Sequence, residues 1–296
     1  MTERLSLEGL RYAQSVAETH SFSAAARAYG VTQPALSNGI AKLEERLGEP
    51  MFKRSPRGVT PTPFGTHILP LVKQALAALD GVAAEAKRWN APGDETIRMG
   101  VSPLINPKLV ASAYSAVCCL SALPTPRKLV LREANMDELR EGLAQGELDL
   151  ILIPSVAPMH RYEHRIIDSE PMVLVESTPT NGDPIEVKAI GDTQLILVPD
   201  TCGLTTFTHG LFQSHHLPLR AYPGEPSSYR VLEEWANLGL GSAIVPRSKL
   251  VSPDAKHRPI FDGGQELEIF YEAVWDPDSL LAHDLAILAD RLENSP

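Results

Sequence analysis

Ser21-Phe-Ser-Ala-Ala-Ala-Arg-Ala-Tyr-Gly-Val-Thr-Gln-Pro-Ala-Leu-Ser-Asn-Gly-Ile-Ala-Lys-Leu-Glu-Glu-Arg-Leu-Gly48 reads as two helices joined by a tight turn. Ser23 is placed to cap a first helix whose small residues Ala24–Ala26 let a second helix approach closely. Gly30 tolerates the left-handed backbone that ends it. Thr32 then caps a second helix, with Gln33 and Pro34 in the first turn, where a missing proline N–H costs nothing. Leu36, Ile40, Leu43 and Leu47 recur at spacings of 4, 3 and 4, which turns them to a core and leaves Gln33, Ser37, Asn38 and Lys42 outward. The following Met51-Phe-Lys-Arg-Ser-Pro-Arg-Gly-Val-Thr-Pro-Thr62 reads as a two-stranded wing with Lys53, Arg54 and Arg57 near its tip.

A helix of this kind laid in a major groove offers its N-terminal side chains to base edges. There Gln and Asn make bidentate contacts to adenine, while Ser, Thr and Lys suit phosphates. The expected DNA-contacting set is therefore Ser23, Thr32, Gln33, Pro34, Ser37, Asn38 and Lys42, joined by Lys53, Arg54 and Arg57 from the wing. The overall charge of -10 argues against this, but the average hides a division. Residues 1–65 hold eight Lys and Arg against six Asp and Glu, a net of +2, and the remainder carries -12.

Beyond the Pro-rich Thr60-Pro-Thr-Pro-Phe-Gly65, the residues Leu69, Val72, Leu76, Leu79, Ala83 and Ala86 recur at spacings of 3, 4, 3, 4 and 3. That is the seam of a two-stranded coiled coil, so residues 66–90 are expected to be a linker and dimerisation helix pairing through Leu69, Val72, Leu76 and Leu79. The alternative is one amphipathic helix lying on its own domain, and Pro70 is expected to kink or restart it.

From Thr96 onward β-rich runs alternate with helical patterns, which predicts βαβ units and a mainly parallel sheet. The expected strands are Ile97–Val101, Lys128–Arg132, Asp149–Ile153, Leu195–Val198, Ser242–Val245 and Glu268–Trp275. The helices are Pro107–Cys119, Met136–Gln145, Leu204–Ser214, Tyr229–Leu238 and Ser279–Asn294. The chain is thus α/β overall, divided into 1–65, 66–90 and 91–296. Nothing in it reads as a signal peptide or as the roughly 18 apolar residues of a bilayer span, so a cytoplasmic location without a membrane partner is expected.

Residues 5–65 resemble the N-terminal domain of LysR-type regulators through Phe22-Ser-Ala-Ala-Ala, Val31-Thr-Gln-Pro-Ala-Leu-Ser, Leu43-Glu-Glu-Arg-Leu-Gly and Met51-Phe-Lys-Arg. Gly239-Leu-Gly-Ser-Ala-Ile-Val-Pro246 is similar to a late motif of the same family. The resemblance implies an N-terminal all-α winged helix-turn-helix, a long linker helix and a C-terminal two-lobed α/β effector domain similar to periplasmic binding proteins of type 2. Lobe I would hold about 91–165 and 268–296, and lobe II about 166–267. One departure is Asn38-Gly39, where the family often carries a basic or amide pair. The implied partners are a pseudo-palindromic DNA operator, a small-molecule effector and further copies of the chain, as a homodimer or homotetramer. The resemblance also admits RNA polymerase.

Helix N-termini offer free N–H groups and partial positive charge to anions, which suits an organic acid as effector. The candidates lie after strands: Ser102-Pro103, Asn135-Met136, Thr201-Cys202 and, before the helix at Tyr229, Ser227-Ser228. The family places effector contacts at the positions matching Ser102, Asn135 or Met136, and Thr201–Cys202. Cys202 also matches the reactive cysteine of peroxide-sensing members, and a helix N-terminus lowers a thiol pKa. The competing reading has Cys202 lining the ligand cleft, since Gly203–His216 holds no resolving cysteine. Cys118-Cys119 is expected to pack as an apolar pair, His215-His216 to be a solvated helix end, and Glu141, Glu233 and Glu234 to be solvated charge. No metal site or cofactor is expected. An enzyme is not expected either: no G-x-S-x-G, G-x-G-x-x-G or G-x-x-x-x-G-K-S/T motif is found.

Overall fold

In the computed structural model, which describes residues 5–55, 58–89, 96–120, 127–177, 182–199, 203–251 and 256–293, Ser6 opens the first helix, α1 (Leu7–Thr19), its hydroxyl accepting from Gly9 N–H at 3.4 Å. Three residues of the sequence reading, Arg57, Thr201 and Cys202, lie outside the described residues. The chain separates into two compact units, Met1–Asn90 and Ala91–Pro296.

In the first unit α1 leads into α2 (Phe22–Ala28) and α3 (Gln33–Leu47). Ser21, not Ser23, caps α2: its backbone is extended, and its Oγ accepts from Ala24 N–H at 3.3 Å. Ser23 sits inside the helix, where a side chain cannot reach back to a free N–H of the first turn. Thr32 caps α3 through Ala35 N–H, with Pro34 in the first turn, and Gly48 ends the helix at φ 87°. The wing is β1 (Phe52–Ser55) paired antiparallel with β2 (Gly58–Pro61). Glu44 Oε1 ties α3 to it, accepting from Met51 N–H at 2.7 Å and Phe52 N–H at 3.2 Å.

The helix α4 (Pro63–Trp89) begins three residues before the expected linker and runs as one helix through Pro70. Gly65 is required at its start, because a Cβ there would lie 2.0 Å from the Met51 carbonyl oxygen. The expected coiled-coil seam is corrected in its first half, while Leu79, Ala83 and Ala86 of its second half are exposed. Val72 (4% exposed) and Leu76 (8%) belong to the unit's own core with Val16, Leu36, Ile40, Leu43 and Met51, and Leu69 packs beside them. A helix shows one stripe to its own domain, so this stripe is spent. Leu71, Ala75, Leu79, Val82 and Ala86, spaced 4, 4, 3 and 4, face solvent instead.

The second unit runs β3 (Thr96–Val101), α5 (Pro107–Cys119), β4 (Lys128–Glu133), α6 (Met136–Ala144), β5 (Leu150–Pro154), β6 (Glu163–Val175), β7 (Ile185–Glu186), α7 (Val187–Ile190) and β8 (Gln194–Leu195). It continues α8 (Gly203–Ser214), β9 (Arg220–Ala221), α9 (Tyr229–Asn237), β10 (Ala243–Pro246), β11 (His257–Asp262), β12 (Gln265–Glu266), β13 (Glu268–Trp275) and α10 (Ala282–Glu293). Its sheet is mixed rather than mainly parallel. β4, β3 and β5 run parallel, but β13 is antiparallel to both β5 and β6, and β10 and β11 are antiparallel to β6. The reason is β6, a 13-residue strand absent from the sequence expectation. Its residues 163–171 pair with β13 and its residues 172–175 with β10, so one strand serves both halves of the sheet. The run Leu195–Val198 is a strand only at Gln194–Leu195.

The core between sheet and helices holds Ile97, Met99, Leu150, Leu152, Val173, Leu174, Phe212, Ala273 and Leu288, all nearly inaccessible. Three further expectations are corrected. Cys118, expected to pack as half of an apolar pair, faces solvent. Glu233 is buried, its carboxylate accepting from Val251 N–H at 2.6 Å. His215 is tied to Asp262, with Nε2 3.0 Å from Oδ2.

Candidate nucleic-acid interface and ligand region

The capped start of α3 sets Thr32, Gln33 and Pro34 on the surface, and all three are exposed. Across the turn from α2, the Ser23 hydroxyl donates to Gln33 Oε1 at 3.0 Å, so these two expected contact residues form one unit. One turn further on, Ser37 is half-buried because Arg54 covers it: Arg54 Nη2 donates to Ser37 Oγ at 2.7 Å. The same guanidinium lies 4.0 Å above the Phe22 ring, which in turn meets Phe52 edge to face at 6.2 Å. Arg54 was expected near the wing tip. Its position is in mid-strand on β1, and a cation–π contact together with a hydroxyl acceptor pulls the guanidinium onto α3. Lys53, the preceding residue on that strand, is exposed.

Asn38 and Lys42 turn the other way. With Ser6, Glu8, Tyr12 and Arg46 they line a hollow of about 280 Å³ between α3 and the start of α1. The polar face read as one surface therefore has two sides, Gln33 and Ser37 toward α2 and the wing, Asn38 and Lys42 toward α1. The departure at Asn38-Gly39 has a steric cause here. A Cβ at Gly39 would lie 2.8 Å from the Tyr12 ring.

In the second unit Ser102 stands at the C-terminal end of β3. It is buried, its backbone N–H donating to the Leu152 carbonyl and its hydroxyl accepting from Leu104 N–H at 3.2 Å. Pro103 beside it is half-buried. Asn135 caps α6, its Oδ1 accepting from Glu138 N–H at 3.0 Å. Met136, expected as a ligand contact, is 4% exposed and packs in a separate cluster with Leu139, Leu143, Leu148, Ile151, Ile153 and Val274. Tyr229, the first residue of α9 after its cap Ser228, is half-buried against the main core.

The second unit also gathers polar residues that the sequence reading did not select. Lys249 Nζ donates to the Ile105 carbonyl at 2.7 Å, three residues from Ser102, and burial holds its ammonium below the usual lysine range against the pull of Glu170 and Glu133. Glu170 accepts from Ser248 N–H at 3.1 Å. The Tyr271 ring is fully buried, and burial, then the Glu170 carboxylate, push its phenol above the usual tyrosine range, with Tyr229 and Asp168 adding to the same effect. The start of α8 closes on the end of β5, where a Cβ at Gly203 would lie 2.3 Å from the Pro154 ring. Ser102 and Lys249 are thus brought to a common region, and Asn135 and Met136 are engaged in capping and packing. No single-position signal marked either residue: Glu170 sits on β6, which the sequence expectation lacks, and Tyr271 sits on β13, which reads as ordinary sheet. Among the described residues no cluster of His, Cys, Asp or Glu suits a metal ion.

Residues 7–66 match the family model described as bacterial regulatory helix-turn-helix protein, lysR family, and residues 90–295 match the LysR substrate binding domain. The HTH-type transcriptional regulator IlvR of Caulobacter vibrioides is 30% identical over 259 residues, covering 82% of this chain and 83% of the relative. A probable hydrogen peroxide-inducible genes activator of Streptomyces viridosporus is 31% identical over 202 residues, 66% of this chain and 62% of the relative. Among solved structures, a cysteine-to-serine mutant of Corynebacterium glutamicum OxyR in its H2O2-bound form shares the fold at a TM-score of 0.58 and 23% identity, covering 99% of this chain and 93% of that one.

Proposed function

Because the chain belongs to the LysR family of bacterial helix-turn-helix regulators, and so is a DNA-binding transcription regulator, we propose that a small-molecule effector bound in the second unit controls how it reads a pseudo-palindromic operator. The observation that carries the DNA side is the start of α3: a capped helix whose exposed Gln33 and clamped Ser37 face outward beside Arg54 and Lys53. The effector side is supported by Ser102 at a strand end and by Lys249 reaching the Ile105 carbonyl, with the α8 start packed on Pro154 nearby. The half-buried Lys249 ammonium favours an organic acid.

The active form is a homodimer or a tetramer built from it. Its support is the solvent-facing stripe Leu71, Ala75, Leu79, Val82 and Ala86 on α4, whose spacing is that of a helix seam. A two-fold dimer presents two recognition helices to two half-sites, which is why the operator is expected to be pseudo-palindromic. RNA polymerase is a further partner of this reading. The setting is the cytoplasm, where the DNA is, and among the described residues no helix is long and apolar enough to cross a membrane.

A gel shift with the DNA upstream of the chain's own gene, with and without candidate organic acids, tests the proposal. Specific retardation that an acid alters supports it. A folded chain that fails to shift that DNA at low salt refutes it.

A second reading, a redox-sensing regulator using Cys202, is favoured by the named role of the Streptomyces viridosporus relative. Under mild peroxide, a shift in DNA binding that Cys202→Ser abolishes supports this reading, and unchanged binding sets it aside.

A further inference from the structure

The recognition helix carries two side chains whose hydrogen-bonding roles are already partly taken within the protein. A glutamine that reads adenine needs both ends of its amide, the oxygen accepting from N6–H and the nitrogen donating to N7. In this chain Gln33 Oε1 is engaged from the protein side by the Ser23 hydroxyl at 3.0 Å. One acceptor site of the amide oxygen is thereby taken from the α2 side, which leaves Nε2 as the end of the amide with no contact in this pairing. Ser37 is constrained in the same sense. Its Oγ accepts from Arg54 Nη2 at 2.7 Å, which leaves its own O–H to donate. Arg54, held on Phe22 at 4.0 Å, has only donors to offer.

Resting on the DNA-reading function of the family, we propose that Ser23 is a positioning residue that fixes the Gln33 amide with its nitrogen outward, so that this side of α3 presents mainly donors. Such a surface reads a keto oxygen, guanine O6 or thymine O4, and discriminates against the amino groups of adenine and cytosine. The pairing is long in sequence, ten residues across the helix-turn-helix, so it also ties a side chain of α2 to one of α3 at the start of the recognition helix.

The test is selection of a randomised double-stranded DNA library by the full chain, followed by sequencing of the bound pool. Gln33→Glu, which offers acceptors only, identifies the column that residue 33 reads, because that column switches to an amino base. In the wild-type motif the same column is expected to hold guanine or thymine. Ser23→Ala is expected to weaken the preference for a keto base there by about three- to tenfold, the span of one hydrogen bond, with the other columns unchanged. Ser23→Thr, which keeps a hydroxyl, is expected to restore it. Ser23 is exposed, and alanine is well tolerated within a helix, so Ser23→Ala is expected to melt as the wild type does. An adenine or cytosine in the wild-type column, a Ser23→Ala motif with that column intact, or a Gln33→Glu motif with no column altered each overturns the proposal. A folded wild-type chain that enriches no motif overturns the DNA-reading function as well.

Discussion

Leu76 and Leu79 lie one turn apart on α4, and a pair of alanine substitutions separates the two tasks that the sequence pattern merges. Leu76 is 8% exposed and packs in the core of the first unit, so truncation removes nearly a full side chain of burial and leaves a cavity. Leu76→Ala is expected to cost about 2–4 kcal/mol of folding stability. Leu79 is 45% exposed, and its own fold gains little from it. Full burial of a leucine is worth about 1.5–3 kcal/mol, so covering the open part in a dimer contributes about 1 kcal/mol per copy. A two-fold interface counts it twice, and about 2 kcal/mol corresponds to roughly a 30-fold weaker dissociation constant. Sedimentation measures the association, and urea unfolding followed by circular dichroism below the dissociation constant measures the fold. The expected pattern is crossed: Leu76→Ala lowers the unfolding midpoint, and Leu79→Ala lowers association with the midpoint nearly unchanged. If Leu79→Ala leaves association intact while destabilising the fold, the assignment of the two stripes is wrong.

Three further outcomes follow from particular contacts. Gly65→Ala places a Cβ against the Met51 carbonyl, and a backbone clash of this kind is expected to cost about 3 kcal/mol or more, read as a lowered thermal midpoint. Glu44→Ala strips the Met51 and Phe52 N–H groups of a charged acceptor and is expected to cost about 1–3 kcal/mol and to loosen the wing, measured by urea unfolding and by amide exchange at those two residues. Asp168 is held above the usual carboxylate range by burial, opposed by the Ser169 N–H and reinforced by Glu170 and Glu268. A raised folded-state pKa means that the folded chain keeps a proton the unfolded chain has already lost, so this residue lowers stability as pH rises from about 3.8 through the folded value. Asp168→Asn is therefore expected to raise the urea midpoint at pH 7 and to leave it unchanged at about pH 3, below both values.

The helix-turn-helix was legible because its signals are local. Thr32, Pro34 and Gly48 act within one turn of where they stand, and the 4, 3, 4 spacing of Leu36, Ile40, Leu43 and Leu47 admits one inward face. Ser21 and Ser23 show the limit of such reasoning. Both precede or enter the alanine run, and backbone dihedrals, not residue type, decide which one caps; the residue that lost that role is the one whose hydroxyl reaches Gln33. Periodicity on α4 joined residues of two faces, the buried Val72 and Leu76 and the exposed Leu79 and Ala86, into one stripe. Nor does spacing tell whether a face is covered by the same chain or by another copy, and Val72 and Leu76 are covered by their own unit.

The second unit was legible in its regular elements and much less so in its buried polar groups, for a reason visible in β6. Glu163-His-Arg-Ile-Ile-Asp-Ser-Glu-Pro171 carries charges and a proline that argue against a strand, yet those charges are answered from elsewhere in the fold: His164 Nδ1 lies 3.1 Å from the buried Glu272 carboxylate, and Glu170 receives Ser248 N–H. The partners arrive from residues 78 and 108 positions further along, beyond the reach of any local pattern. Met136 shows a different limit. A residue after an N-cap at a strand end has the right address for a ligand contact, but a helix start has two faces, and at α6 the inner one is filled by Leu139, Leu143 and Ile153. Address along the chain is therefore a weaker guide than burial. In the second unit, Lys249 and Ser102 are polar groups held in buried positions by long-range partners, which the sequence order of helix starts does not reveal.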